Sequence, residues 1–291
     1  MTLDPTLILE VIINGVLLGG ILALAAIGLS LVLGVTGVLN IMHGQFLVLA
    51  GTLSYLIHLA LKLNPIILFI IIPPLFFLIG ISLERSLIRP LVSRTQSTPL
   101  LPSILVTFGL ALIVQDVLTF AVGDVAKGIP THFPPLKFQG LQLPMPKLLS
   151  LFSVLTATLS LWFFLVHTST GNAARAIIQD REGAMLCGID IPRISMLIFG
   201  IGAALAGLAG VYYSIIYTVQ ASMGITLTMI ALILIALGGV GNILGTLVSG
   251  IIVGVTHTVV ELLLGAAWSL PVVLLLFIAA LLARPRGVLS E

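Results

Sequence analysis

The chain has 291 residues, of which 59% are hydrophobic and only 8% charged, against about 25% charged in an average soluble protein. Twelve Lys and Arg against ten Asp and Glu leave a net charge of +2, so no basic surplus draws the protein onto nucleic acid. The single cysteine, Cys187, excludes an internal disulfide and any cysteine-cluster metal site, and reads as a packed free thiol.

This is the composition of a polytopic integral membrane protein. The first ten residues carry Asp4 and Glu10 and no basic n-region, which predicts a retained span rather than a cleaved signal. A bilayer span needs about 20 predominantly apolar residues. Runs at 8–34, 42–62, 65–84, 101–122, 148–168 and 193–217 meet that length. Beyond them 226–237 is short, 243–264 is adequate and 268–283 is marginal, so eight or nine spans are expected. The runs are long and continuous, without the ten-residue alternation of a barrel strand, which makes the fold all-α. No stretch is polar and long enough to form a soluble domain, so residues 1–291 read as one membrane domain.

Orientation follows from Arg and Lys in the short connections. Arg85, Arg89 and Arg94 mark one loop, Arg175, Arg181 and Arg193 a second, and Arg284 and Arg286 follow the last span. These ends are expected in the cytoplasm. The loop at about 123–147 holds Lys127, Lys137 and Lys147 but also Asp124 and five prolines, and alternation places it outside. An outer N-terminus with a cytoplasmic C-terminus requires an odd number of crossings, hence nine if 226–237 crosses.

Two stretches interrupt apolar sequence with Gly and Asn: Gly34-Val-Thr-Gly37-Val-Leu-Asn40-Ile-Met-His43-Gly44-Gln45 and Gly238-Gly239-Val-Gly241-Asn242-Ile-Leu-Gly245. Paired broken helices point to a translocation site, because unwound backbone offers polar groups inside the bilayer. Either stretch alone also reads as a tight turn between helices. On the first reading Asn40, His43, Gln45, Gly239, Gly241 and Asn242 belong to the pathway or its gate. Small residues one turn apart, at Gly15/Gly19, Ala203/Gly207, Ala206/Gly210, Gly241/Gly245 and Gly250/Gly254, allow close helix packing.

Ionisable residues within spans are functional candidates by default. His43 lies beside Asn40 and Gln45, as a pathway group or a capped turn. Asp116, and His257 with Glu261, fall near span ends, where an interfacial pair is the simpler reading. No deep carboxylate suggests a proton relay. Motifs for a phosphate cradle, a zinc pair or a nucleophile elbow are absent, and the five histidines have no ligand spacing. The chain is therefore read as no enzyme, and energy for uphill movement would enter through a partner.

Charge concentrates in one place, Asp180, Arg181, Glu182, Asp190 and Arg193, in a connection at about 169–193. There Glu182-Gly183-Ala184-xxx-Gly188 resembles the Glu-Ala-Ala-xxx-Gly element by which membrane subunits of bacterial ABC importers dock onto their ATPases, with Gly183 at the second position. Together with Gly171-Asn-Ala-Ala-Arg175, Gly28 to Gln45, Arg89-Pro90, Gly238 to Gly245 and Arg284-Pro-Arg-Gly287, the chain resembles the smaller permease of the branched-chain amino-acid ABC importer family. Gln45 stands where many relatives have Glu. Urea and short-amide permeases look similar, and a stand-alone channel or secondary carrier is the reading from a different class.

The resemblance implies a coupling helix with Arg175, Asp180, Arg181, Glu182, Ala184 and Gly188 at the ATPase contact. It also implies a second homologous permease, two cytoplasmic ATPases that carry the ATP and Mg, and a periplasmic or lipid-anchored solute-binding protein. No cofactor is expected on this chain, and the setting it implies is a bacterial or archaeal cytoplasmic membrane.

Overall fold

The computed structural model describes residues 5–94, 100–130, 136–138, 141–143 and 145–283. Twelve α-helices are seen among them: α1 (Pro5–Thr36), α2 (His43–Leu61), α3 (Pro65–Leu83), α4 (Arg89–Arg94), α5 (Leu100–Val122), α6 (Met145–His167), α7 (Ser169–Gln179), α8 (Arg181–Leu186), α9 (Ile191–Ile216), α10 (Gly224–Gly238), α11 (Ile243–Leu264) and α12 (Ala266–Ala283). Eight helical stretches are long and apolar enough to cross a membrane, and Ala266–Leu282 forms a shorter apolar ninth. The fold is an all-α polytopic bundle. Arg284, Arg286, Gly287, Asp4 and His132 lie outside the described residues.

The charged and arginine-bearing ends collect on one side. Arg89 Nη2 donates to Pro192 O at 3.0 Å, and Arg181 Nη1 donates to Val35 O at 3.1 Å, so the ends of α1, α3–α4, α8 and the start of α9 meet there. We call this the arginine end. At the other end the chain leaving α5 pairs with the chain leaving α9, Lys127 and Val219 exchanging both backbone hydrogen bonds. The 123–147 loop thus begins at the end opposite to the arginines, and further along it carries a three-residue antiparallel ladder, Leu136–Phe138 with Leu141–Leu143.

Helix α1 runs through the middle. At 32 residues and about 1.5 Å per residue it is about 48 Å long, more than a hydrocarbon core requires, and from Leu17 to Val35 its large apolar residues other than Leu33 are buried. Lipid supplies no hydrophobic drive between helices, so close backbone approach must hold them. Gly15 and Gly19 lie on Gly254 and Gly250 of α11: a Cβ at Gly250 would stand 2.6 Å from Gly19 O, and one at Gly254 2.5 Å from Gly19 Cα. Gly28 and Gly202 give α1 and α9 the same contact, while Ala203 and Gly207 admit Gly80 and Phe76 of α3. Helices α3, α5 and α6 leave many large apolar side chains exposed, as lipid-facing helices do.

Helix α3 continues through a π-helical turn, Glu84–Ile88, into α4. The extra residue of that turn brings Arg89 back onto the buried Glu84, 3.2 Å between Nη2 and Oε2, an arrangement the sequence reading did not anticipate.

Candidate functional site

The first glycine-asparagine stretch is a true interruption. Helix α1 ends at Thr36, residues 37–42 are not helical, and α2 begins at His43. His43 Nε2 lies 2.9 Å from Ala25 O, eleven residues before the end of α1. The chain therefore leaves α1 at the arginine end and returns unwound to the depth of Ala25 before helix resumes. Gly37, with φ +68°, makes the reversal.

Unwound backbone inside a membrane must find partners. Val38 N donates to Thr36 Oγ1 at 3.1 Å and Met42 N to Asn40 Oδ1 at 3.1 Å. The others are served from elsewhere. Leu39 N donates to Ser103 Oγ at 3.3 Å and Ile41 N to Thr107 Oγ1 at 3.0 Å, both on α5. Gly44 N donates to Thr228 Oγ1 of α10 at 2.8 Å, and that hydroxyl donates to Ile41 O at 2.8 Å. Sequence reasoning missed Ser103, Thr107 and Thr228.

A second interruption faces the first, at residues 217–223. After α9 the chain is extended through 217–220 and makes one 3-10 turn, Ala221–Met223, before α10. Asp124 holds that turn from the 123–147 loop, its Oδ1 accepting from Ser222 N at 3.1 Å. Gln45 holds it from α2, Nε2 donating to Ala221 O at 3.1 Å. The starts of α2 and α10 lie against each other, Gly44 on Gly224 and Gly224 on the Gln45 carboxamide, so that a Cβ on either glycine would collide. Asn40, His43, Gln45 and Thr228 are all buried, at 2%, 1%, 0% and 1% exposure. The centre is closed.

Clefts open on either side of it. At the end opposite to the arginines about 940 Å³ is lined by Tyr55, His58, Lys62, Tyr213, Tyr217 and Met223, among others. Met223 belongs to the 3-10 turn that Gln45 latches, so the cleft floor is the closed centre. Burial, with Tyr213 and Glu261 nearby, pushes the Tyr217 phenol up to about 12, so it presents a neutral hydroxyl there. At the arginine end about 470 Å³ is lined by residues that include Thr36, Glu84, Arg89, Arg181, Glu182 and Ser195.

The second glycine-asparagine stretch is a turn between α10 and α11. Gly239 and Gly241 adopt φ of +93° and +78°, and Asn242 caps α11, Oδ1 accepting from Gly245 N at 2.9 Å. Gly239, Gly241 and Asn242 are therefore not brought together with Asn40, His43 and Gln45. They sit at the arginine end instead, where Ile178 of α7 packs on both Gly34 and Gly241 and Gly241 N donates to Ser30 Oγ at 2.8 Å.

The charged connection is a pair of short helices at that end. Thr168 caps α7 through Gly171 N at 3.0 Å, and α7 buries Gly171, Ala174 and Ile177 while Arg175 stays outside on Asn172. Asp180 caps α8, Oδ1 accepting from Glu182 N at 3.1 Å. Gly188, at φ +79°, ends α8, with Ile189 N donating to Ala184 O as in a Schellman cap. Arg175, Asp180, Arg181, Glu182 and Gly188 are exposed. Ala184 is not: at 5% exposure it packs into the bundle. The apolar apex is formed by Met185 and Leu186, 60% and 89% exposed. A protruding apolar tip ringed by both signs of charge is suited to a protein partner.

Among the other ionisable groups, Asp116 is exposed on α5. His257 and Glu261 form a loose pair, 3.9 Å from Nδ1 to Oε2, at the end opposite to the arginines. Among the described residues no three of His, Cys, Asp and Glu converge as a metal site.

A family model described as branched-chain amino acid transport system / permease component matches residues 11–281. The chain is 30% identical to the high-affinity branched-chain amino acid transport system permease protein LivH of Salmonella typhimurium, over 97% of this chain and 96% of the relative. It is 28% identical to the corresponding permease protein BraD of Pseudomonas aeruginosa, over 97% and 96%. The ribose import permease protein RbsC of Bacillus subtilis is 27% identical over 62% of this chain and 56% of its own length. No solved structure matches. The chain belongs to the branched-chain amino acid permease-component family, and is a multi-pass membrane transport component of the ABC type.

Proposed function

We propose that this permease component passes branched-chain amino acids inward by alternating access, driven by two ABC ATPases that dock on α7 and α8. The observation that carries the reading is the hydrogen bond from Arg181 Nη1 to Val35 O. Arg181 stands on the exposed charged rim, and Val35 is the penultimate residue of α1, immediately before the unwound segment. A push on the rim therefore reaches the closed centre through one side chain.

On this reading Arg175, Asp180 and Glu182 register the ATPases through charge, Met185 and Leu186 seat in them, and Arg181 passes their motion inward. Gly188 sets the angle at which α8 leaves for α9, and Ala184 anchors the pair inward. Asn40, His43 and Gln45 form the gate, with the outer cleft as entrance and the arginine-end cleft as exit. Gly239, Gly241 and Asn242 act beside α7, as a second contact between the docking helices and the bundle. The chain binds no cofactor and catalyses nothing itself: ATP and Mg belong to the ATPases. A second homologous permease and a periplasmic or lipid-anchored solute-binding protein complete the assembly in a bacterial or archaeal cytoplasmic membrane, with the N-terminus outside and the C-terminus inside.

Charge reversal at Asp180 and Glu182 is the direct test. In vesicles carrying the assembled complex, ATP-driven leucine uptake and the stimulation of ATPase activity by loaded binding protein should both fall by at least about tenfold, while the membrane-inserted amount of the chain is unchanged. Uptake and stimulation equal to the unsubstituted complex would refute the docking assignment.

A further inference from the structure

Thr228 lies in the middle of an apolar helix, where its hydroxyl first reads as an ordinary bond to the carbonyl one turn back, Gly224 O, at 3.1 Å. Its geometry says more. The same oxygen accepts from Gly44 N and donates to Ile41 O, 2.8 Å in each case. No side chain within α2 caps that helix, so an early N–H of α2 finds its acceptor on a different helix. Thr107 makes the accepting half of this contact from α5: it accepts from Ile41 N at 3.0 Å, while its own proton has Ser103 O at 2.7 Å and Leu39 O at 3.2 Å. Alternate residues of the unwound segment are thus gripped by two hydroxyls on two helices that are themselves in little contact.

The closed centre also leaves polar atoms behind. His43 Nδ1 and Gln45 Oε1 are buried and have no hydrogen-bond partner among the described residues. Buried acceptors of this kind are rare and count against the arrangement that leaves them unpaired. The hydroxyls hold the segment closed against two unsatisfied acceptors, so the balance between closed and open is set locally, at the side chains that bridge the break.

We infer that Thr228, with Thr107 as its counterpart, is a positioning residue for transport: its hydroxyl holds the unwound segment 37–42 and the start of α2 in the closed form and lets go of Ile41 and Gly44 when the pathway opens. The inference rests on the transport reading above and adds to it the residue that sets the gate's resting position.

The test uses the assembled complex in vesicles, with Cys187→Ser removing the native thiol and Met42→Cys, a position 4% exposed, reporting on the break. A membrane-impermeant maleimide is applied from both sides without ATP. Thr228→Val, which keeps the shape and deletes the hydroxyl, should raise the labelling rate about tenfold, and Thr228→Ser should stay within about twofold of the parent. Thr107→Val should shift it in the same direction. Parent-like labelling in both valine variants would overturn the inference. So would valine variants that assemble poorly or melt early while their assembled fraction labels at the parent rate, since the hydroxyls would then serve only stability. ATP-driven leucine uptake by the unsubstituted complex is measured in parallel. Absence of uptake there counts against the transport reading itself, whatever the labelling shows.

Discussion

Removing the Arg181 guanidinium while keeping its apolar stem, as in Arg181→Met, isolates the link between docking and gate. The group donates to Val35 O at 3.1 Å, among the last carbonyls of α1, which have no partner further along the helix. A charged donor to a carbonyl contributes about 1.5–3 kcal/mol, and the negative end of the α1 dipole adds to it. Arg181 is exposed, so solvent screening brings the figure to about 1–1.5 kcal/mol. That is close to a tenfold change in how firmly α8 and the end of α1 move together. The assay is leucine taken up per ATP hydrolysed in vesicles of the assembled complex. Arg181→Met should lower that ratio by about tenfold while hydrolysis continues near the parent rate. Arg175→Met serves as the comparison, because Arg175 donates within its own helix, to Asn172 Oδ1 at 2.6 Å: it should weaken ATPase association and leave the ratio unchanged. Equal ratios in Arg181→Met and parent would refute the link. Parallel loss of hydrolysis and uptake would refute it too, by making Arg181 a docking residue only.

Two further outcomes follow from packing. Gly250→Val places a branched side chain where a single Cβ already stands 2.6 Å from Gly19 O and 2.5 Å from the Ala23 Cβ. It should cost about 1–3 kcal/mol or more, read as a lower melting temperature in detergent, whereas Gly109→Ala, with nothing within 4 Å, should leave stability unchanged or raise it by up to about 1 kcal/mol. Gly183→Ala completes the Glu-Ala-Ala pattern that α8 resembles, yet its Cβ would stand 2.5 Å from Asp180 Oδ2. It should disturb the cap on α8 by about 1 kcal/mol and lower ATPase stimulation; stimulation equal to the parent would count against the cap's role.

The spans were legible because lipid leaves few choices: an apolar run of the right length must be helical, and the expected 65–84, 101–122 and 243–264 runs lie within a residue or two of α3, α5 and α11. The break at 37–42 was legible from Gly37 and Asn40. The opposing break at 217–223 was not, since Tyr217 to Met223 contains neither Gly nor Pro. Its backbone is drawn out of helix by partners distant in sequence, Lys127, Asp124 and Gln45. Conversely Gly239-Val-Gly241-Asn242 has the composition of an unwound pathway and the structure of a capped turn. Asn serves both purposes by the same short-range hydrogen bonding, and only the neighbouring Ser30 and Ile178 decide. Thr107 and Thr228 were hidden for a related reason. A threonine bonded to its own helix looks the same in sequence as one that also bridges to another chain segment.

If α7 and α8 dock the ATPases as proposed, motion there has two routes inward, and the packing of α1 separates their roles. One runs from α8 through Arg181 to Val35, the other from α7 through Ile178 to Gly34 and Gly241, and from Gly241 N to Ser30. Both end on the last two turns of α1. The body of that helix is locked on α11 by glycines that admit no side chain, Gly15 and Gly19 against Gly250 and Gly254, and on α9 by Gly28 against Gly202. A close-packed pair of this kind resists sliding, so displacement at Val35 is not absorbed along α1. It passes to the segment that follows, whose backbone has no ladder of its own and depends on the hydroxyls of Ser103, Thr107 and Thr228. The rigid helix and the unwound segment are adjacent in sequence because the first makes the second the place where the chain gives.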